Sequence, residues 1–87
     1  MATREVVTKK ALCEWMTAEM RKHKGCEGCR VDGVYRLQEP DADGCNWSPG
    51  HYNIGGAPEQ VAGPVAREVF AAARAKFNLI NEPTLWH

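Results

Sequence analysis

The sequence predicts a single α+β domain in which two helices pack on one face of a small antiparallel sheet. Two stretches repeat apolar residues at helical spacing, a stretch between them alternates like a strand, and 87 residues leave room for one core. Because each helix must bury its apolar stripe, a two-layer α-β-β(-β)-α arrangement follows. We assign residues 1–80 to this domain and expect a mobile C-terminal tail at 81–87, where no periodicity continues.

The first predicted helix starts near Thr8, which is a suitable N-cap residue, and stops at Gly25. Cations fill its last turn at residues 21–24, where they suit the helix dipole. The apolar stripe that we expect it to bury consists of Leu12, Trp15, Met16 and Met20.

A half-buried strand is predicted for residues 31–38, with Val31 and Tyr35 on the same face. The turn-forming segment Pro40–Gly44 interrupts it, and residues 45–48 resume an extended run, so we predict an antiparallel hairpin with a five-residue loop. A further short stretch, His51 to Ile54, follows a Pro-Gly break. Whether it adds a third strand stays open at this point.

The second predicted helix has an uncertain start. It opens at Pro58 with a kink near Gly63-Pro64, or it begins at Pro64 itself, because a proline inside a helix lacks the N–H and clashes one turn back. Asn78 is predicted to end the helix as a left-handed cap, with Leu79 packing back over it. The apolar stripe comprises Val61, Val65, Val69, Ala73 and Phe77.

Charge and hydropathy exclude several classes of protein. The formal net charge is zero, so no general basic surface for nucleic acid or an anionic membrane is indicated. No apolar run approaches the roughly 18–20 residues of a membrane span, and the N-terminus lacks a signal-peptide core. We therefore expect a cytoplasmic protein without membrane contact, and treat its cysteines as thiols or metal ligands before disulfides.

The cysteine and histidine spacing raises the possibility of a zinc site. Cys26 and Cys29 form a C-x2-C knuckle in a glycine-containing loop, with Cys45 and His51 downstream as the remaining ligands of a tetrahedral set. A second knuckle, which would strengthen the assignment, is absent. We favour the alternative that the cysteines are small buried hydrophobes or loop thiols, and we expect no cofactor and no stoichiometric zinc.

The sequence offers little support for catalysis. No Ser/His/Asp order, P-loop, dinucleotide-binding motif or H-E-x-x-H motif is present, so we expect a non-enzyme. The cations at 21–24, followed by Arg30, are a candidate contact for phosphate. Compensation of the helix dipole is the interpretation that we favour for them.

The segment from Pro40 to Trp47 is the candidate binding edge. It combines an acidic pair with no basic residue close by in sequence and a large aromatic side chain. A protein partner with basic or aromatic groups is expected here, because phosphate would be repelled. Whether Trp47 is an exposed anchor or part of the core is left open by the broken alternation. The candidate binding residues are Asp41, Asp43, Asn46 and Trp47.

Residues 39–48 (EPDADGCNWS), together with residues 73–79 (ARAKFNL), resemble small hypothetical proteins of proteobacterial genomes and their prophages. The resemblance implies a phage or mobile-element context and supplies no activity or catalytic residue. We therefore predict a small non-enzymatic binding or accessory module with a protein partner. The alternatives are a zinc-stabilised domain held by Cys26, Cys29, Cys45 and His51, and a weak nucleic-acid binder that uses the basic end of the first helix.

Overall fold

The computed structural model describes residues 4–80 and confirms a small α+β fold with two helices. Its strands form three two-stranded sheets, of which two are antiparallel and one is parallel. Neither helix in the described range is long and apolar enough to cross a bilayer. The elements in chain order are β1 (Glu5–Val7), α1 (Lys9–Arg21), β2 (Arg30–Val31), β3 (Val34–Arg36), β4 (Trp47–Pro49), β5 (Tyr52–Asn53), α2 (Glu59–Lys76) and β6 (Phe77–Leu79).

Helix α1 begins where the sequence predicts it. Thr8 is the N-cap, and its side-chain oxygen accepts a hydrogen bond from the backbone N–H of Ala11 at 3.0 Å. The helix ends at Arg21, ahead of the predicted stop at Gly25, which instead takes a left-handed conformation in the following loop (φ 93°). The predicted stripe is confirmed by three fully buried residues and one partly buried one: Leu12, Met16, Met20 and Trp15.

The predicted hairpin is present as the antiparallel pair β3–β4, in which Tyr35 lies opposite Ser48. Its connection runs through residues 37–46 and is therefore longer than the five-residue loop expected from the sequence. The open question about a third strand is answered by β5, which pairs with β2 and places Val31 opposite Tyr52. The pairs β2–β5 and β3–β4 thus continue one bent, interrupted hairpin.

The single strand predicted for residues 31–38 is wrong, because the alternation breaks at residues 32–33. Both N–H groups of this pair donate to the carbonyl of His51, at 2.8 and 3.2 Å. The Cα pairing keeps one register across this point, with Val31 opposite Tyr52 and Val34 opposite Pro49, so the regular ladder is interrupted without an inserted residue. Val31 and Val34 are consequently both buried, whereas Tyr35 is 54% exposed.

Helix α2 runs without interruption from Glu59 to Lys76, so a start at Pro64 is wrong, and Pro58 is the N-cap residue rather than the first helical one. Proline 64 removes only the hydrogen bond that the Gln60 carbonyl would accept. Buried residues on both sides of the proline hold the helix against the core: Ala62, Gly63, Val65 and Ala66. Val61, which the predicted stripe includes, is 37% exposed.

The parallel pair β1–β6 was not predicted. Phe77, assigned to the helix stripe from the sequence, has extended backbone angles (φ −127°, ψ 149°) and begins β6. Asn78 is therefore a strand residue opposite Val6 and not a left-handed cap. Its side chain donates to the carbonyl of Gly44 at 3.1 Å, which holds the long connection of the hairpin against the strand.

One hydrophobic core joins the two helices and the hairpin. The rings of Trp15 and Phe77 meet edge to face with their centroids 5.0 Å apart, which ties α1 to β6. The tail predicted at residues 81–87 lies outside the described residues. The fully or nearly fully buried members of the core are Leu12, Met16, Met20, Cys26, Cys29, Val31, Val34, Cys45, Trp47, Ala62, Val65, Ala66, Val69, Phe70, Ala73, Phe77 and Leu79.

Candidate functional site

The structure buries the aromatic residue of the predicted binding edge. Trp47 is 0% exposed, and its indole Nε1 donates to the carbonyl of Phe77 at 3.0 Å. The alternative of an exposed anchor is therefore wrong, and Trp47 belongs to the core. Asn46 also makes its contacts within the protein, because its side-chain amide hydrogen-bonds to the backbone of Leu79.

Asp41 organises the connection between β3 and β4. One carboxylate oxygen accepts the backbone N–H groups of Asp43 (2.9 Å) and Cys45 (3.1 Å), and the other pairs with Arg74 on α2. The N–H of Cys45 is the main cause that lowers the pKa of Asp41. Desolvation, the next largest effect, opposes it, and the N–H of Asp43 and the guanidinium of Arg74 lower the pKa further. Asp41 has no basic residue close by in sequence, and the fold places Arg74 of α2 beside it.

The knuckle cysteines are buried thiols. Cys26 and Cys29 are both 0% exposed, and the Sγ of Cys29 donates to the carbonyl of Ile54 at 3.3 Å. Burial raises the pKa of the Cys29 thiol, and its hydrogen bond with Cys26 adds to the shift. The environment of Cys29 therefore favours its neutral thiol.

The other two candidate zinc ligands lie elsewhere. The Sγ of Cys45 points to the carbonyl of Trp47 at 3.4 Å, and the ring of His51 meets the hydroxyl of Tyr35 at 3.2 Å. Across residues 4–80, no group of three or more His, Cys, Asp or Glu side chains is arranged to hold a metal ion. The fold therefore does not bring together the set that the spacing suggested.

The basic end of α1 is largely engaged. Arg21 donates to a backbone carbonyl of the following loop at 2.8 Å, and Lys22 pairs with Glu19 at 2.7 Å. Arg30 pairs with Asp32 at 2.9 Å. The segment consequently does not present a continuous row of free cations to a phosphate backbone.

An open groove runs between α1 and the β2–β3 segment, with a volume of about 710 Å³; we call it the α1 groove. Cys13 and Thr17 on the helix face Val31 and Val34 on the strands across it. Burial raises the pKa of the Cys13 thiol, and the carboxylates of Asp32 and Glu14 add to the shift, while Lys9 opposes it. The groove is lined by Lys9, Lys10, Cys13, Glu14, Thr17, Ala18, Arg21, Arg30, Val31, Asp32, Gly33 and Val34.

The charges at one end of the α1 groove are unfavourable for the helix itself. Lys9 and Lys10 occupy the first turn of α1, which contains no acidic residue. Cations at a helix N-terminus are opposed by the dipole, typically by about 0.3–1 kcal/mol each. Neither lysine has an ion pair within residues 4–80. Helix stability therefore does not explain this lysine pair.

A second groove, of about 800 Å³, lies between α2 and the hairpin; we call it the arginine groove. Arg4, Arg67 and Arg74 line it together with Asp43, above an apolar floor that includes Phe70. Arg67 and Arg74 are two helical turns apart and so share one face of α2.

Sequence reasoning missed both grooves, although each leaves a trace in the sequence. Two lysines directly follow the N-cap residue Thr8, whereas acidic residues are usual in the first turn of a helix. This unusual pair lines the α1 groove. The seven-residue spacing of Arg67 and Arg74 marks the arginine groove. The contribution of Arg4 could not be found this way, because it depends on the pairing of β1 with β6.

Comparisons with protein-family models, with curated proteins and with solved structures find no match for this chain. The resemblance to prophage proteins stays a prediction. Inference about function therefore depends on the two grooves and their chemistry.

Proposed function

We propose that the protein is a small non-enzymatic binding module whose α1 groove receives a segment of a partner protein. The segment carries an apolar side chain flanked by acidic residues. The observation that carries this proposal is an apolar groove floor bordered by a surplus of cations, two of which lie where the helix itself disfavours them.

The shape and floor of the groove suit a peptide side chain. Its volume of about 710 Å³ lies in the range of ligand sites, and its floor combines the exposed Ala18 with the small accessible parts of Val31 and Val34, which are 5% and 7% exposed. An apolar side chain that covers this floor removes its surface from water, at about 25 cal/mol per Å². Apolar contact therefore provides affinity at the centre of the site.

The rim supplies the preference for an acidic segment. Four basic residues line the groove against two acidic ones, Glu14 and Asp32, and Asp32 already pairs with Arg30. Complementary carboxylates would speed association and select the partner. This partner differs from the basic or aromatic one expected at the Pro40–Trp47 loop, where Asp41 already has its cation in Arg74.

A protein segment fits the lining better than a nucleic acid does. Single-stranded nucleic acid is held by aromatic side chains on which bases stack, together with cations along the backbone. Within residues 4–80, none of the side chains that line the α1 groove is aromatic, and the apolar contacts on its floor are aliphatic. An acidic peptide supplies both the carboxylates and the aliphatic side chains that the lining calls for.

Fluorescence anisotropy with three short labelled peptides tests the proposal. The first alternates Glu with Leu, the second has Lys in place of Glu, and the third has Ser in place of Leu. We expect the Glu-Leu peptide to bind most tightly, because only it satisfies both the rim and the floor. Equal or tighter binding of the Lys-Leu peptide, or no loss with the Glu-Ser peptide, would refute the proposal.

Paired variants locate the binding on the protein. Lys10→Glu should weaken the Glu-Leu peptide by about tenfold, whereas Lys24→Glu, which makes the same charge change outside the groove, should leave it nearly unchanged. Ala18→Trp should block the groove, whereas Ala11→Trp, at an exposed helix position outside it, should not. Equal effects within either pair would place the peptide elsewhere.

A further inference from the structure

We propose that the arginine groove is a second, independent binding site, and that its ligand is a phosphomonoester dianion attached to an apolar or aromatic body. The site uses Arg4, Arg67 and Arg74, none of which lines the α1 groove. It goes beyond the proposed peptide-binding function and is tested independently of it.

Two of the guanidinium groups are held in place by the fold. Arg74 donates to the carbonyl of Trp47 and to the carboxylate of Asp41, and its guanidinium lies 5.9 Å from the centre of the Trp47 ring. Arg4 donates from Nε to the carbonyl of Arg74 at 2.8 Å. Because a guanidinium has five N–H donors, both retain donors for a ligand while their positions are fixed.

The third guanidinium is uncommitted. Arg67 is exposed and has no ion pair or side-chain hydrogen bond within residues 4–80. It lies two turns before Arg74 on the same face of α2 and lines the groove at its far end, where its Nη1 is near Gly63. The groove thus contains a free cation beside two oriented ones.

The charge balance favours an added anion. Three arginines and one aspartate, Asp43, line the groove, and the carboxylate of Asp41 beside it is already shared between Arg74 and two backbone N–H groups. Asp43 lines the groove and has no ion pair in the described part of the chain. It opposes a bound anion, so the proposal also requires that its removal improves binding.

The ligand class follows from the donors and the floor. A phosphate dianion offers three terminal oxygens, which can accept from guanidinium groups in several directions and form bidentate pairs. The groove, at about 800 Å³, is larger than a phosphate, and its floor includes Phe70 and Pro49. An apolar body attached to the phosphate would occupy that floor.

Phenyl phosphate is the probe, and the arginine Nε–H signals of isotope-labelled protein report its binding by nuclear magnetic resonance. We expect saturable shifts of the Arg67 and Arg4 signals, and benzoate should bind at least about fivefold more weakly because it is a monoanion. Shifts that do not saturate, or equal binding of benzoate, would overturn the proposal.

Three substitutions decide whether the groove is responsible. Arg67→Gln should weaken phenyl phosphate at least about fivefold, while Lys24→Gln, which removes a cation outside both grooves, should change binding little. Asp43→Asn should tighten it. Unchanged affinity in Arg67→Gln, or unchanged or weaker binding in Asp43→Asn, contradicts the proposed site. Lys10→Glu should not affect phenyl phosphate, so this site and the peptide site can fail separately.

Discussion

The side-chain amide of Asn46 pairs with the backbone of Leu79 as a neighbouring strand would. Its Nδ2 donates to the Leu79 carbonyl at 2.9 Å, and its Oδ1 accepts the Leu79 N–H at 2.8 Å. A second contact joins the same segments: the side-chain Oδ1 of Asn78 accepts the backbone N–H of Asn46 at 3.2 Å. These contacts fasten the end of the long hairpin connection along β6.

Replacing Asn46 by Asp should destabilise the fold. The substitution keeps the size of the side chain and an acceptor for the Leu79 N–H, but it replaces the Nδ2 donor with an oxygen that faces the Leu79 carbonyl. We expect a loss of about 1–3 kcal/mol in the free energy of unfolding, measured with urea.

Asn53→Asp is the matched control. Asn53 uses only its Oδ1 acceptor, for the N–H of Gly55 at 2.7 Å, and aspartate preserves that hydrogen bond. Its urea midpoint should stay close to that of the unmodified protein. If both variants unfold at the same denaturant concentration, the paired amide contact does not stabilise the fold.

The sequence was sufficient for the elements whose pattern is local. The N-cap at Thr8 and the stripe of α1 depend on residues within a few turns, and both are present. The antiparallel pairing of β3 with β4 also follows from neighbouring segments joined by turn residues. Local propensity and spacing are sufficient for these elements because the residues that define them lie within a few turns of one another or in adjoining segments.

The parallel pair β1–β6 could not be predicted, because its strands come from opposite ends of the described chain and are three residues each. Three residues give no measurable alternation. The candidate site was missed for the same reason. Sequence neighbours offered Asp41 no cation and left open whether Trp47 faces solvent. In the fold, Arg74 pairs with Asp41, and the carbonyl of Phe77 accepts the indole N–H of the buried Trp47.

The contribution of Asp41 should depend on pH in a defined direction. Its pKa is lowered in the folded protein, so its stabilising effect is present above the ordinary pKa of an unfolded aspartate, about 3.9, and is lost as the pH falls through the lower folded value. Asp41→Asn should therefore be less stable than the unmodified protein at neutral pH, and this difference should shrink below about pH 4.

Urea unfolding of both proteins across that pH range measures the difference directly. Subtraction removes the contribution of other carboxylates, including Glu27, whose pKa is also lowered by backbone N–H groups. A stability difference that stays constant from neutral to acidic pH would show that the interactions of Asp41 with Arg74 and the loop do not favour its ionised form.

Gly50 is required by a close approach of two backbone segments. A Cβ atom at this position would lie 2.6 Å from the carbonyl oxygen of Gly33, and the N–H of Gly50 donates to that same oxygen at 3.1 Å. Gly50→Ala should therefore destabilise the protein by about 1–3 kcal/mol, because the backbone must move to relieve the overlap.

Gly33→Ala provides the comparison from the other side of this contact. A Cβ there meets nothing within 4 Å, so we expect a change in unfolding free energy within about 0.5 kcal/mol. Thermal unfolding of both variants separates steric overlap from a general cost of replacing glycine. Equal shifts in the melting temperature would contradict the role given to the close approach.

Cys13 should be the thiol that reports on the α1 groove. Cys26, Cys29 and Cys45 are 0% exposed, whereas Cys13 is partly exposed and lines the groove. Only the thiolate reacts with iodoacetamide, and burial together with the Asp32 carboxylate raises the pKa of Cys13. We expect slow labelling at neutral pH and a rate that increases as the solution becomes more alkaline.

Asp32→Asn removes the largest electrostatic cause of that shift, so it should lower the pKa of Cys13 and accelerate labelling at neutral pH. Asp43→Asn makes the same charge change in the arginine groove and should leave the rate unchanged. Mass spectrometry of time-resolved labelling identifies the modified cysteine. If Asp32→Asn and Asp43→Asn label at the same rate, the carboxylate of Asp32 does not act on Cys13.

The Glu-Leu peptide should slow labelling of the unmodified protein, because it covers the thiol when it occupies the groove. Full reactivity of Cys13 at saturating peptide would place that peptide outside the α1 groove.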